Sequence, residues 1–427
     1  MKILVYDHGL NTEAAIKLSE AGHSVGYYSE WREAFPRCVN ESVGLGLEGL
    51  ERVNGLMLAC ERADMICCFD TNSDDLVEYW QTRSLLDDDR QGYDKAIFGA
   101  GRAETLEKDR SFLKDILRAA KQPIAKYKII KGVDALIDFL RLPANENVFV
   151  KIDGQFRGDN ETFHHETWLK TMAGELGALL MSFGAYSNKV EFMVEWPIES
   201  IVEVGYDGFA ARGGYTDGLV GYESKDKSYA AVFRKYNDMP KCLVDANKAV
   251  APVFVDSGTP TIFSTELRGK AKDKWYLIDP CVRAPHPPLA AELEHFKNFA
   301  NVVCALAGVA GDMRWINPIP TTLYSCAVEV KSDELKEHWC DVEFDRKYRH
   351  LVKLQRACKI DGTYYALPGS VVACNVVGLG STFKAAKAEC IKVLDTVRVP
   401  GMEYDLDSLD ILEEKTIPAG EKLGIKF

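Results

Sequence analysis

The sequence has no apolar run approaching the ~18 residues needed to cross a bilayer as a helix. Its start, MKILVYDHG, has too short an apolar stretch and no small-residue cleavage site, so no signal peptide is expected. Twelve cysteines are present, but they form no C-x-x-C pair and no zinc-type spacing. That excludes a zinc ribbon and points to reduced thiols in a cytoplasmic compartment. Cys67 and Cys68, in MICCF, read as buried strand thiols. Positive charge is also scarce. The net charge of −12 excludes a general nucleic-acid or acidic-membrane binder, which needs a basic footprint. The phosphate-loop pattern G-x-x-x-x-G-K-[ST] does not occur, and there is no internal repeat or low-complexity linker.

What is present is a chain of 427 residues, 47% hydrophobic and 27% charged, as expected of a globular protein of about two to four domains. The first part alternates strand and helix patterns. KILVYD, HSVGYYS, ADMICCFD and KAIFGAG read as strands of a parallel sheet, and NTEAAIKLSEAG as a helix ended by Gly22. LEKDRSFLKDILRAAKQ predicts one amphipathic helix stopping at Pro123. AKYKII, the helix VDALIDFLRL, the strand VFVKI, a helix over roughly 166–183 and the strand KVEFMVEW follow. From about 200 to 290 the pattern is strand-rich. PLAAELEHFKNFANVVCALAG then reads as helical, and the last hundred or so residues mix strands with the helix TFKAAKAECIKVLDTV.

Two glycine patterns need sorting. GLGLEG, 44–49, matches G-x-G-x-x-G, but no strand precedes it, so a dinucleotide reading fails. VVGLGSTFKAA, 376–386, does run from strand to helix, and either a tight turn or an anion site would explain it. The basic stretch RKYRHLVKLQRACK, 346–359, reads as a solvated face, with a contact to a phosphate-bearing substrate as the sharper alternative.

Lys151 ends an apolar strand and enters DGQFRGDNETF, a loop holding Gly154, Arg157 and Gly158. A cation at a strand end before a glycine loop suits phosphate binding, since the ammonium neutralises charge and glycines let backbone N–H groups approach. Taken alone, a surface lysine beside a turn is the commoner origin of such a pattern. Its partners lie downstream. FSTELR and WYLIDPCVRAPHPP read as adjacent strands ending in Glu266 and Asp279, acids able to share magnesium. Arg283 follows Cys281 by two residues, on the same side of an extended chain, where it can stabilise a transferring phosphoryl group. An apolar strand with Glu195 and Glu203 near its exit suits an adenine-and-ribose pocket, although ordinary solvent-facing acids give the same pattern. Lys225 and Lys227, in ESKDK, stand where a phosphate or carboxylate can be reached, and exposed loop lysines are usually solvated.

In this order the segments resemble the ATP-grasp ligases, and within them the glycinamide ribonucleotide synthetase (phosphoribosylamine–glycine ligase) family, over nearly the whole chain. FGAGRAETLEKDRSFLKDILRAAKQPIAKYKII resembles the approach to that family's nucleotide lid, with Arg110 at a lysine position. VFVKIDG resembles the lid strand, and IDPCVRAPHPP the segment E-x-N-x-R-x-G-D-P-E, with Cys281 in place of the Asn. VVGLGSTFKAAKAECIKVLDTVRVPGMEYD resembles the carboxy-terminal domain.

The resemblance implies an α/β and α+β protein. It would have a parallel pre-ATP-grasp domain over about 1–105, an ATP-grasp domain over about 106–320 with its lid at about 122–192, and a mixed α/β domain over about 321–427. It implies nucleotide contacts from Arg110, Lys151, Asp153, Gly154, Arg157, Gly158, Glu195, Trp196, Ile198 and Glu203. Glu266 and Asp279 would hold magnesium, or manganese in its place, with Arg283 and Lys225 in catalysis. It also implies ATP as cofactor and a small carboxylate and a small amine as substrates.

The family's G-P-N-T-G-G-M-G-x-Y-S-P stretch is absent, with GYESKDKSYAAVFRKYNDMP in its place, and G-D-P-E has become PHPP, 285–288. The expectation is therefore a carboxylate–amine ligase with a rebuilt acceptor side. The true purine-pathway ligase and an ATP-binding protein without ligase activity are the alternatives.

Overall fold

The structure is a computed structural model, described here for residues 1–29, 42–86, 95–153, 162–169, 175–309, 311 and 313–427. Lys2–Asp7, Ser24–Ser29, Leu50–Arg52, Met65–Cys68 and Ala96–Phe98 form a parallel sheet. Its spatial order puts Leu50–Arg52 and Ala96–Phe98 at the edges and Lys2–Asp7 in the middle, beside Met65–Cys68. Met65–Cys68 is buried along its whole length, as a parallel strand covered by helices on both faces must be. The chain winds outward from Lys2–Asp7 in one direction and then restarts at Met65–Cys68 on the other side. The loops after these two strands therefore diverge and leave a crevice, and Asp7 at the end of the first strand is fully buried.

A second sheet is antiparallel, in the order Tyr127–Lys131, Glu191–Glu195, Val148–Ile152, Thr162–His165. Helices Val133–Leu140 and Glu175–Phe183 pack on it around a core of its own, which includes Leu136, Val148, Val150, Phe192 and Val194. The third sheet is large. Lys274–Cys281, Thr261–Ala271, Glu203–Ala211, Gly218–Ser224 and Ser228–Arg234 lie side by side. The sheet continues without a break into Tyr324–Ser332, Val372–Gly380 and Val352–Leu354. One continuous core joins this sheet to the amino-terminal sheet and the carboxy-terminal helices. No helix among the described residues is long and apolar enough to cross a membrane.

Several elements differ from the sequence reading. The helix expected to run unbroken to Pro123 is two, Thr105–Lys108 and Arg110–Ala119. Asp109 between them is extended, and its side chain accepts from Phe112 N at 2.7 Å, satisfying a donor that a helix start leaves without a partner. The helical stretch after Pro287 is likewise two helices, Pro288–His295 and Phe299–Leu306. Gly378 is a packing glycine, since a Cβ there would stand 2.0 Å from Ala386 O on the helix Phe383–Leu394. Arg346 and Lys347 are exposed, but the rest of the basic stretch 346–359 is not a solvated face. Arg349 pairs with Glu13 at 2.9 Å, Lys353 with Glu294 at 2.6 Å and Lys359 with Glu48 at 2.7 Å, joining the carboxy-terminal segment to the rest. Cys67 and Cys68 are buried, as expected.

Candidate active site

The antiparallel four-stranded sheet faces the large sheet across a cleft. Strand alternation decides what enters it. Val148, Val150 and Ile152 point into the core of the smaller sheet, so Phe149 and Lys151 point the other way and line the cleft. Trp196 and Ile198 follow the strand Glu191–Glu195 and, with Ala125 and Ile278, give the cleft an apolar end. Lys126 Nζ lies 3.9 Å from the centre of the Trp196 ring.

The other end is charged. Lys151 Nζ is 2.8 Å from Asp279 Oδ2 and 3.1 Å from Glu195 Oε2, and Arg110 Nη1 is 2.8 Å from Asp279 Oδ1. Lys114, one turn beyond Arg110 on the same helix, reaches Glu195 Oε1 at 2.5 Å. The cap at Asp109 starts that helix at Arg110, whose backbone N–H donates to Asp153 Oδ1 at 2.8 Å. Burial pushes Asp279 up, but Lys151 and Arg110 outweigh it and hold the carboxyl well below its usual range. Burial likewise works against charge on Lys151, and Asp279 and Glu195 more than restore it. Glu266 is the register partner of Asp279 on the neighbouring strand. Among the described residues it has no ion-pair partner, and burial, then Asp279 and Glu203, push its pKa up to about 8.

The remaining expected residues are placed as follows. Glu203 lines the cleft and is held by Arg268 at 2.6 Å. Lys225 lies exposed in the turn between Gly218–Ser224 and Ser228–Arg234, at the cleft, while Lys227 is drawn away to Asp405 at 2.7 Å. Cys281 is buried and its thiol is pushed far up by that burial. Arg283 does not line the cleft with Lys151. Its Nε is anchored to Glu107 Oε1 at 3.0 Å, and it faces Asp70 at the amino-terminal crevice. His8 lies 3.4 Å from the same Asp70, and His286 Nε2 is 3.0 Å from Asn11 Oδ1. Gly154, Arg157 and Gly158 lie outside the described residues.

Sequence reasoning missed Lys114, Arg268 and Glu223. Lys114 stands four residues after Arg110, a helical neighbour, and Arg268 two after Glu266, on the same strand face. Those spacings were available signals. Glu223 carried none, because its place beside Glu203 depends on strand pairing.

No family model matches the sequence, and no curated protein matches it. Solved structures do match in shape. The phosphoribosylamine–glycine ligase of Thermotoga maritima superposes with a TM-score of 0.65 at 13% identity, over 95% of this chain and 100% of that one. The biotin carboxylase of Campylobacter jejuni gives 0.64 at 13% identity, over 97% and 95%. The L-amino acid ligase of Bacillus licheniformis gives 0.59 at 12% identity, over 95% and 99%. The chain has the ATP-grasp fold. The cleft between the four-stranded sheet and the large sheet holds the Lys151–Asp279 pair.

Proposed function

We propose that this chain is an ATP-dependent ligase that joins a carboxylate to an amine through an acyl phosphate, releasing ADP and phosphate. One observation carries the reading. A lid lysine, a helix arginine and two register-paired carboxylates meet at the charged end of a cleft whose other end is apolar. An adenine ring suits the end formed by Phe149, Trp196 and Ile198, and phosphates suit the end with Lys151 and Arg110.

The donors also suit magnesium. Glu266 and Asp279 offer hard oxygen ligands, and phosphate oxygens and water can complete an octahedron. Cys281 does not join them, because its thiol stays protonated and sulfur is a poor partner for a hard cation. Bound magnesium would supply charge neutralisation at the transferring phosphoryl group. Lys151 and Arg110 would turn from Asp279 to phosphate oxygens, an exchange of one anionic partner for another. The lid above them would exclude water and protect the acyl phosphate from hydrolysis. Positioning and charge neutralisation then account for most of the chemistry.

The test is ADP release, with magnesium and ATP, screened over pools of carboxylates and amines. Release that requires one member of each pool supports the ligase. Tight ATP binding with no release in any mixture would leave a nucleotide-binding protein without ligase activity.

A further inference from the structure

Strands Gly218–Ser224 and Ser228–Arg234 of the large sheet are joined by only three residues, Lys225, Asp226 and Lys227. Lys227 N donates to Ser224 O at 3.0 Å and closes a β-turn. The third residue of that turn, Asp226, has φ +56°, a conformation that aspartate tolerates better than most side chains. Hairpin tips are usually the least constrained part of a sheet. This one is clamped. Lys227 O accepts from Glu329 N at 2.9 Å, and Asp226 O accepts from Lys331 Nζ. Lys227 Nζ pairs with Asp405 Oδ2 at 2.7 Å. Ser228 Oγ shares a hydrogen bond of 2.7 Å with Ser408 Oγ, and both serines are buried.

All four contacts come from far along the chain. Glu329 and Lys331 lie on the strand Tyr324–Ser332, and Asp405 and Ser408 lie at the start of the helix Asp407–Ile411. Asp405 serves two ends at once, since its Oδ1 accepts from Ser408 N at 3.0 Å while its Oδ2 holds Lys227. The contacts fix residues 226–228 and leave the side chain of Lys225 alone. Among the described residues Lys225 has no ion-pair or hydrogen-bond partner. It is exposed, it lines the nucleotide cleft with Lys151, Glu266 and Asp279, and its charge bears on Glu266. The other two cations at that end, Lys151 and Arg110, already hold Asp279. Lys225 is therefore the cation that can meet an anion without giving up a partner. Fixing its backbone reduces the freedom lost when the ammonium is captured.

We propose that the carboxy-terminal segment 405–408 is a positioning element of the nucleotide site: by clamping the turn, Asp405 and Ser408 aim Lys225 at the terminal phosphate of ATP. The inference rests on the ligase reading for the identity of the nucleotide and goes beyond it in giving this distant segment a part in phosphate recognition. Lys225 approaches from the large sheet, and Lys151 from the four-stranded sheet across the cleft. Neither Asp405 nor Ser408 lines the cleft, so both act through Lys225. The Lys227–Asp405 pair is partly exposed and contributes little stability by itself. Its loss should move the aim of Lys225 far more than the stability of the fold. ADP lacks the phosphate that Lys225 meets, so the effect is specific to the triphosphate.

The experiment is calorimetry on the full chain with magnesium, using ADP and the β,γ-methylene analogue of ATP, which cannot transfer its terminal phosphoryl group. Lys225→Ala should weaken the analogue about tenfold and leave ADP within about twofold of the parent. Asp405→Asn and Ser408→Ala should each weaken the analogue about three- to tenfold, again with ADP within about twofold. In the Lys225→Ala background, Asp405→Asn should change the analogue's affinity by less than about twofold, a non-additivity that a merely structural role would not produce. Asp405 is only partly buried, so its variant carries the test if Ser408→Ala does not fold. Parental affinity for the analogue in Asp405→Asn or in Lys225→Ala overturns the inference. Equal losses for ADP and analogue, or an undiminished effect of Asp405→Asn without Lys225, overturn it in favour of a structural role. Each of these outcomes leaves the ligase reading standing. Failure of the parent to bind either nucleotide overturns the ligase reading, and the inference with it.

Discussion

Lys151 of the four-stranded sheet and Asp279 of the large sheet meet at 2.8 Å across the cleft, 128 residues apart in the chain. Arg110 grips the other oxygen of the same carboxylate. This three-way contact ties the four-stranded sheet, the helix Arg110–Ala119 and the large sheet together at the point where phosphates are proposed to sit.

The first prediction follows from it. Lys151→Ala should weaken ATP binding about ten- to a hundredfold, the worth of one charge-assisted contact of ~1.5–3 kcal/mol. It should also lower stability by ~2 kcal/mol. That is less than the roughly 3–5 kcal/mol of a fully buried pair, because Asp279 is partly exposed and keeps Arg110 while Glu195 keeps Lys114. Calorimetry and urea unfolding measure the two effects, and unchanged ATP affinity would refute the phosphate role.

Glu266→Gln and Asp279→Asn should both abolish magnesium-dependent turnover, yet move stability in opposite directions. Asp279→Asn loses two ion pairs and destabilises. Glu266 faces Asp279, Glu203, Lys225 and Lys151, and its folded pKa of about 8 lies above the unfolded value of 4.5. Between those values the folded state holds more protons than the unfolded one, so stability falls as pH rises through that window. In metal-free protein, Glu266→Gln should therefore flatten the decline in melting temperature from about pH 5 to pH 8. Parental turnover in both variants at saturating ATP and magnesium would show that they are not the metal ligands.

Trp196 should report nucleotide binding. It lines the apolar end of the cleft under Lys126, so ADP should change the tryptophan emission of the parent. Trp196→Phe should lose most of that change and bind ADP less than about tenfold more weakly. A full emission change in the variant would place the adenine elsewhere.

Glycine plus phosphoribosylamine should give no useful turnover. The segment 221–240 puts Tyr222 and Tyr229 in the core of the large sheet, bulk where the resembled family has glycines that let backbone approach a small acceptor. Discrimination by unpaired polar groups reaches ~10⁴-fold, so the effect is large. The check is a coupled ADP assay with freshly generated phosphoribosylamine. Robust glycinamide ribonucleotide formation would make this an ordinary purine-pathway ligase with an unusual sequence.

Gly378→Ala should destabilise by about 1–3 kcal/mol without changing ATP affinity, because the added methyl meets a helix backbone. A change in affinity at unchanged stability would restore an anion-binding role for that turn.

Local sequence was enough to show the alternating strands and helices of the first sheet, the strand that carries Lys151, and the acids at 266 and 279. Each has a periodicity that is readable within about ten residues, but Glu266, expected at a strand end, stands in the middle of Thr261–Ala271, because pairing with Glu203–Ala211 and Lys274–Cys281 carries that strand on to Ala271. The break at Asp109 was hidden because a capping aspartate and an exposed helix aspartate look alike until the backbone turns. The basic stretch 346–359 looked solvated because its acids, Glu13, Glu48 and Glu294, lie far away in the chain.

What the sequence by itself determined was therefore the inventory: which strands carry a lysine, an arginine or a carboxylate, and on which face. Only the tertiary structure decided who meets whom. It paired Lys151 with Asp279, turned Arg283 toward Glu107 and Asp70, and seated the Tyr229 ring against Gly221. The physical reason is that side-chain direction along a strand is fixed locally by a period of two, whereas the register between strands is fixed by the packing of a whole sheet.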